Sequence, residues 1–264
     1  MNRPNSRYAA MFQRLAGRGE GAFGAFVMLG DPGLSASADI LDALVEAGAD
    51  MLEAGIPFSD PVADGPVIQA AAVRALAAGA RTTDCFALLT AFRARHATIP
   101  VGILTYANIV VARGRDAFYA AAGQAGVDSV LVADVPLIEA EPFAASARAH
   151  GIAPVLIAAA NTPAHRLGAI ARLGDAYTYC VARAGVTGAD DEMRLDHEVT
   201  LGTLRAEGAP PPILGFGISR PGHVRAALAA GAAGVISGSA IVERIGDRKA
   251  LMDLVRELKA ATAL

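Results

Sequence analysis

The chain has 264 residues, 53% of them hydrophobic and 19% charged, which is enough apolar material for a sizeable core and argues against general disorder. A net charge of −3 offers no basic field to a nucleic-acid backbone, and every apolar run is broken by Gly, Pro or charge well short of the ~20 residues a membrane span needs. Two cysteines, Cys85 and Cys180, without metal-like spacing, and an amino-terminal stretch with no continuous apolar segment, point to a reducing, cytoplasmic setting with no disulfide framework and no secretory signal.

Along the chain, helix and strand signals alternate. Tyr8, Met11, Phe12 and Leu15 recur at helical spacing and predict an opening amphipathic helix. Ala22 to Leu29 reads as a first strand, followed by the turn Asp31-Pro32-Gly33 and a helix carrying Ile40, Leu41, Leu44 and Val45, with Ser35 or Ser37 as its expected cap. Met51 to Ala54 is the second strand. Helices are predicted over 67–78 and 84–95, a strand over 101–105, a helix over 116–125, a strand over 129–133, a helix over 139–150 and a strand over 154–158. A helix over 163–173, with Pro in its first turn, leads to a strand over 176–181. After a polar stretch from Arg183 to Asp196 come a helix over 197–207, a strand over 213–216, a helix over 221–230, a strand over 235–237 and a closing helix over 247–260.

These are eight short strands, each followed by helix. Several are continuous apolar runs, as expected for strands buried on both faces of a parallel sheet. Ala47-Gly48-Ala49-Asp50, Ala125-Gly126-Val127-Asp128 and Ala230-Gly231-Ala232-Ala233 repeat one device, a helix closed by Gly that turns directly into a strand. The pattern predicts a single (β/α)8 TIM barrel over residues 1–264 with an extra N-terminal helix. A doubly wound open sheet is the alternative, weakened by the lack of a dinucleotide fingerprint after the first strand.

In a barrel, chemistry sits where strands end. Glu53 lies in the apolar second strand, where burial raises a carboxyl pKa and suits it to proton transfer. The loop Gly55 to Pro66, stiff with Pro and carrying Asp60 and Asp64, follows it. Tyr106-Ala107-Asn108, Asp134, Tyr179 and the stretch Arg183 to Asp196 also fall at strand ends. Gly215-Phe216-Gly217 after the seventh strand and Gly238-Ser239 after the eighth open main-chain N–H groups toward an anion, and predict a phosphate subsite. The only lysines, Lys249 and Lys259, lie in the closing helix, which excludes a Schiff-base aldolase. The five histidines are scattered, with no carboxylate at ligand spacing, so no metal is expected. Plainer roles stand beside these: Glu53 as a structural partner of an Arg, Asp60 and Asp64 as turn formers, Asp134 as a cap, Tyr179 as core, and Asp190, Asp191 and Glu192 as a solvated loop.

The run Leu52-Glu53-Ala54-Gly55-Ile56-Pro57-Phe58-Ser59-Asp60-Pro61-Val62-Ala63-Asp64-Gly65-Pro66-Val67-Ile68-Gln69 resembles the signature of the tryptophan synthase alpha chain family. So do Tyr177-Thr178-Tyr179 with Arg183-Ala184-Gly185-Val186-Thr187-Gly188, Gly215-Phe216-Gly217-Ile218 and Ile236-Ser237-Gly238-Ser239-Ala240. The resemblance implies retro-aldol cleavage of indole-3-glycerol phosphate to indole and glyceraldehyde 3-phosphate, with Glu53, Asp64 and Tyr179 catalytic. It implies a phosphate site at Gly188, Phe216, Gly217, Gly238 and Ser239, and an indole pocket of Phe26, Leu104, Leu131, Ile157, Thr187 and Phe216. It further implies no cofactor on this chain, and a pyridoxal-phosphate-containing beta chain as partner in an alpha2beta2 heterotetramer that receives the indole. The loops Gly55 to Pro66 and Arg183 to Asp196, with Asn108 and Asp134, are the expected contact surface. Ala159-Ala160-Asn161-Thr162-Pro163 lacks the Pro common after the family's fifth strand, and Ala54 replaces a commoner Leu. A stand-alone lyase and a non-catalytic activating subunit are the competing readings, the second opposed by the presence of Glu53, Asp64 and Tyr179.

Overall fold

In a computed structural model, which describes residues 6–181 and 198–264, eight parallel strands close into a barrel in chain order. They are β1 (Ala22–Met28), β2 (Met51–Gly55), β3 (Val101–Thr105), β4 (Ser129–Val132), β5 (Ala153–Ala159), β6 (Thr178–Val181), β7 (Pro212–Gly215) and β8 (Gly234–Ser237). The helices are α1 (Ser6–Ala16), α2 (Leu34–Glu46), α3 (Pro66–Ala77), α4 (Thr82–Arg95), α5 (Ala107–Val111), α6 (Arg115–Gln124), α7 (Ala140–Ala149), α8 (Ala164–Leu173), α9 (Glu198–Ala206), α10 (Pro221–Ala229), α11 (Ser239–Val242) and α12 (Arg248–Ala260). Among the described residues no helix is long and apolar enough to cross a membrane.

Alternation along each strand divides the core in two. Phe23, Ala25, Val27, Leu52, Ala54, Ile103, Val130, Leu214 and Val235 face the surrounding helices and form one cluster with Leu41, Leu44, Leu89, Phe92 and Val255. The intervening residues, among them Phe26, Met51, Leu131, Val155, Tyr179, Ile213 and Ile236, fill the barrel. Both faces are dry, so the strand sequences run continuously apolar instead of alternating with polar residues.

Helix α1 closes the amino-terminal end of the barrel. Tyr8, Met11 and Leu15 join the inner cluster, and the Tyr8 hydroxyl lies 2.9 Å from Ser129 Oγ at the start of β4. The aspartates of the repeated helix-to-strand turns have a purpose here. Asp50 accepts the Phe23 N–H at 3.0 Å, and Asp128 accepts the Val101 N–H at 2.8 Å, so each carboxylate binds the backbone of the preceding strand. Arg14 and Lys259 neutralise Asp50, and Arg7 and Arg93 neutralise Asp128. Cations are needed because both carboxylates are almost wholly buried.

Several local expectations need correction. Helix α2 is capped by Gly33 with no side-chain bond; Ser35 does not cap it, and Ser37 Oγ instead accepts the Gly30 N–H at 3.1 Å. The helix expected over 139–150 is a 3-10 turn, Leu137–Glu139, followed by α7. The short helices α5 and α11 stand directly on strand ends, and α5 was not anticipated. Asp247 is the N-cap of α12, accepting the Ala250 N–H at 3.0 Å.

Candidate active site

Glu53 sits in the middle of β2, in register with Phe26 of β1 and Gly102 of β3. It is only 1% exposed. Its Oε1 accepts the Tyr177 hydroxyl at 3.0 Å, while Oε2 is buried with no protein partner among the described residues. Burial drives its pKa up to about 8, opposed by the Tyr177 hydrogen bond and aided by the charge of Asp64. The carboxyl is therefore mostly protonated at neutral pH, and with Oε1 engaged the proton belongs on Oε2. Gly102, in register with Glu53, leaves room for the hydroxyls packed beneath it, including that of Tyr177. A Cβ there would come within 2.7 Å of Ser129 Oγ and 3.1 Å of the Tyr8 hydroxyl, and meet the Tyr177 hydroxyl at 3.6 Å.

Asp64 lies at the end of the loop after β2, immediately before α3, and is 6% exposed. The Tyr106 hydroxyl donates to Asp64 Oδ2 at 2.8 Å. Burial raises the Asp64 pKa and the tyrosine bond lowers it. Asp60, by contrast, is exposed, accepts the hydroxyl of its neighbour Ser59 and does not line the cavity that holds Asp64. Asp134 accepts the Ala107 N–H at 2.7 Å, capping α5 of the preceding unit.

One cavity at the carboxyl end of the barrel brings the groups together. Its walls are Phe26, Ile68, Leu104, Tyr179, Phe216, Ile218 and Ile236, with Glu53 and Asp64 on them, and its rim is Gly217, Ser219, Gly238, Ser239, Ala240 and Glu243. Leu131 and Ile157 belong to the inner cluster with Tyr179 but do not line this cavity. Gly188 and Thr187 lie outside the described residues. Tyr179 meets Phe216 edge-on, with ring centroids 6.1 Å apart, and burial next to Glu53 and Asp64 keeps its phenol protonated.

Gly215 is the residue that lets Tyr179 in, since a Cβ at this position would overlap the tyrosine hydroxyl and its ring carbon. Gly215→Ala should displace that ring from the cavity wall and lower kcat/KM for the cleavage that the resemblance implies by about 10²-fold. Unchanged kinetics would show that Tyr179 has no part in the site.

At the rim the chain turns sharply after β7. Phe216 and Gly217 both have positive φ, 70° and 74°, and a positive φ is uncommon for phenylalanine, so a specific backbone path is being held. Ser237 Oγ donates to the Ile218 carbonyl at 2.6 Å and ties this turn to the end of β8. Gly238 then caps α11; the first N–H groups of a helix have no intrahelical acceptor. Two main-chain edges thus face one opening. Among the described residues no cluster of three or more His, Cys, Asp or Glu could hold a metal ion.

Two of these side chains were given no role from sequence: Tyr106 stood only among the strand-end candidates and Tyr177 only in the family signature. Their signal was strand periodicity: Tyr106 is two residues beyond Leu104, and Tyr177 two before Tyr179, so each shares the inward face of its neighbour.

The family model for "Tryptophan synthase alpha chain" matches residues 12–263. An alpha chain from Shewanella oneidensis is 54% identical over 97% of this chain and 95% of its own length, and one from Escherichia coli is 52% identical over 97% and 98%. Among solved structures, a Mycobacterium tuberculosis tryptophan synthase superposes with a TM-score of 0.91 at 30% identity, covering 98% of this chain and 99% of that one. A chain of the tryptophan synthase a2b2 complex from Pyrococcus furiosus does so at 0.83 and 38% identity, covering 90% and 98%.

Proposed function

The chain belongs to the tryptophan synthase alpha chain family and is a lyase that cleaves indole-3-glycerol phosphate to indole and glyceraldehyde 3-phosphate; we propose that Glu53 moves both protons of that reaction and that Asp64 holds the charge that appears between them. Protonated Glu53 delivers its Oε2 proton to the ring carbon bearing the side chain. The ring double bond supplies the electron pair, leaving a positive charge shared with the ring nitrogen. Asp64, as the carboxylate, accepts the ring N–H and stabilises that charge. The carboxylate of Glu53 then takes the proton of the adjacent side-chain hydroxyl. The oxygen forms the aldehyde carbonyl, the carbon–carbon pair returns to the ring, indole regains its aromaticity, and Glu53 is again protonated. Tyr179 and Phe216 hold the ring edge, and Phe26 and Leu104 complete an apolar slot.

Main-chain N–H groups at Phe216, Gly217, Gly238 and Ser239 receive the phosphate; Gly188 in this set and Thr187 in the indole pocket are assigned by the resemblance alone. The observation that carries the mechanism is one buried carboxyl, shifted to about 8, in a cavity shared with a second acid and a glycine-rich rim.

We further propose that indole passes to a pyridoxal-phosphate-containing beta chain in an alpha2beta2 assembly. Support comes from exposed apolar side chains on the units that follow β2, β3 and β4: Val62 is 72% exposed, Val111 46% and Ile138 87%. They lie on the same side of the barrel as a groove lined by Pro57, Phe58, Asn108 and Ile109. Both cysteines are free and buried, in keeping with a cytoplasmic protein. Incubating the chain with indole-3-glycerol phosphate and following indole should show slow release alone and faster release with the beta chain added. Full turnover in isolation would refute dependence on the partner, and no indole in either arm would sink the catalytic assignment.

A further inference from the structure

We propose that Tyr106 is a positioning residue for the cleavage reaction, clamping Asp64 against the cavity through its phenolic hydroxyl. The proposal rests on the assignment of Asp64 as the charge-stabilising carboxylate and extends it to a residue that does not itself line the cavity.

Asp64 ends a loop, and the bonds it makes to its own neighbourhood do not fix its side chain. Its N–H donates to the Pro61 carbonyl at 3.0 Å, and its carbonyl accepts from Gln69 Nε2 at 2.7 Å. Two further bonds reach across to the next barrel unit, and both end on one atom. The Tyr106 oxygen accepts the Ala63 N–H at 3.3 Å, and its proton goes to Asp64 Oδ2 at 2.8 Å. Because the backbone N–H occupies the acceptor side of the phenol, the hydroxyl proton is committed to the carboxylate. A bond from a hydroxyl to an ionised oxygen is of the strong, charge-assisted kind. Among the described residues no hydrogen bond engages Oδ1, the oxygen we assign to the substrate.

Tyr106 is itself immobilised. It is 2% exposed, its ring stacks on Phe58 at 5.3 Å and 29°, and it is the N-cap residue of α5. The N–H of the next residue, Ala107, is held by Asp134. The phenol is thus anchored to the end of β3, to the loop it orders and, through Asp134, to the end of β4. Among the described residues, the ionisable groups around Asp64 are Glu53 from β2, Tyr106 just after β3 and Tyr179 from β6; Asp134 lies beyond Tyr106.

Tyr106→Phe keeps the ring and its stack and removes only the oxygen. The test compares this variant with the parent chain in indole release from indole-3-glycerol phosphate across pH, with glyceraldehyde 3-phosphate binding as the check that the site is folded. The variant should lose about tenfold in kcat at neutral pH with KM changed by less than about threefold. The acidic limb of its kcat profile should move to higher pH, because the hydroxyl that favours the ionised carboxylate is gone. A kcat within about twofold of the parent would overturn the proposal, and so would a loss of equal size at every pH, which is what a merely structural residue would give. Should the Phe variant fail to bind glyceraldehyde 3-phosphate, replacing Tyr106 by 3-fluorotyrosine decides the matter: a more acidic donor should shift the acidic limb downward, and an unmoved limb rejects the clamp. Asp64→Asn run alongside separates the two failures. Asp64→Asn inactive with Tyr106→Phe unaffected rejects the clamp alone, whereas an active Asp64→Asn rejects the role of Asp64 and the clamp with it.

Discussion

Glu53→Gln is expected to reduce kcat by about 10³-fold, within the range attributable to a single acid/base group, while substrate affinity stays close to that of the parent chain. Gln matches the carboxyl in shape and can still accept the Tyr177 hydroxyl, so the site geometry survives. What disappears is an O–H that can be given up and regained, and both proton transfers need it. Rapid-quench or steady-state measurement of indole release, alongside binding of a non-cleavable indole phosphate, separates the two effects. A variant that cleaves at near the parent rate would mean that another group carries the protons.

The same substitution makes a prediction about stability whose sign follows from burial. The folded-state pKa of Glu53, about 8, lies above its ordinary value of 4.5. Below pH 4.5 both folded and unfolded chains hold the proton, and the contribution is full. As pH rises toward 8 only the unfolded chain gives the proton up, so the folded state progressively loses stability relative to it, and the loss levels off once the folded form also ionises. Gln does not titrate. The stability of Glu53→Gln relative to the parent should therefore grow between pH 5 and pH 8, read as diverging denaturant midpoints. A constant difference across that window would mean that the carboxyl is better solvated than its surroundings imply. Activity of the parent should fall above about pH 8, where the general acid is lost.

The barrel was legible in the sequence because each strand is buried on both sides. That condition writes itself as runs such as Val101 to Thr105, whose predicted limits coincide with β3. The repeated Ala-Gly-x-Asp turns were legible as punctuation, but the reason for their aspartates was not. Asp50 and Asp128 bind N–H groups more than twenty residues away, and no local pattern reports such a partner. The same limit hid the short helix α5: residues 107–111 are too few to show a helical period, and the helix is held by Asp134 from the next unit. Ser35 and Ser37 had the right residue type for a cap, but a capping signal competes with other backbone donors, and Ser37 satisfies Gly30 instead. Glu53 stood out because a carboxyl in an apolar run is anomalous by itself, whereas Asp64, a loop residue that reads equally well as a turn former, stood out only through the family signature. Tyr106 and Tyr177 did not, because a tyrosine on an inward face is ordinary, and only the fold shows that each hydroxyl ends on one of those two acids.

Asp64→Asn should reduce kcat by about 10²-fold with a small change in KM, and the reason lies in the hydrogen-bond directions as much as in the charge. Tyr106 is a donor toward position 64, so the Asn amide must offer it the carbonyl oxygen. Its NH2 group then points into the cavity, toward a ring nitrogen that also carries a proton. The variant therefore loses the negative charge that balances the protonated ring and sets two donors against each other. It should also lose the acidic limb of the kcat profile, because the group whose protonation produces that limb no longer titrates, while the limb set by Glu53 near pH 8 persists. Retention of the acidic limb in Asp64→Asn would assign it to another group. A kcat close to that of the parent would show that the ring charge is stabilised without residue 64.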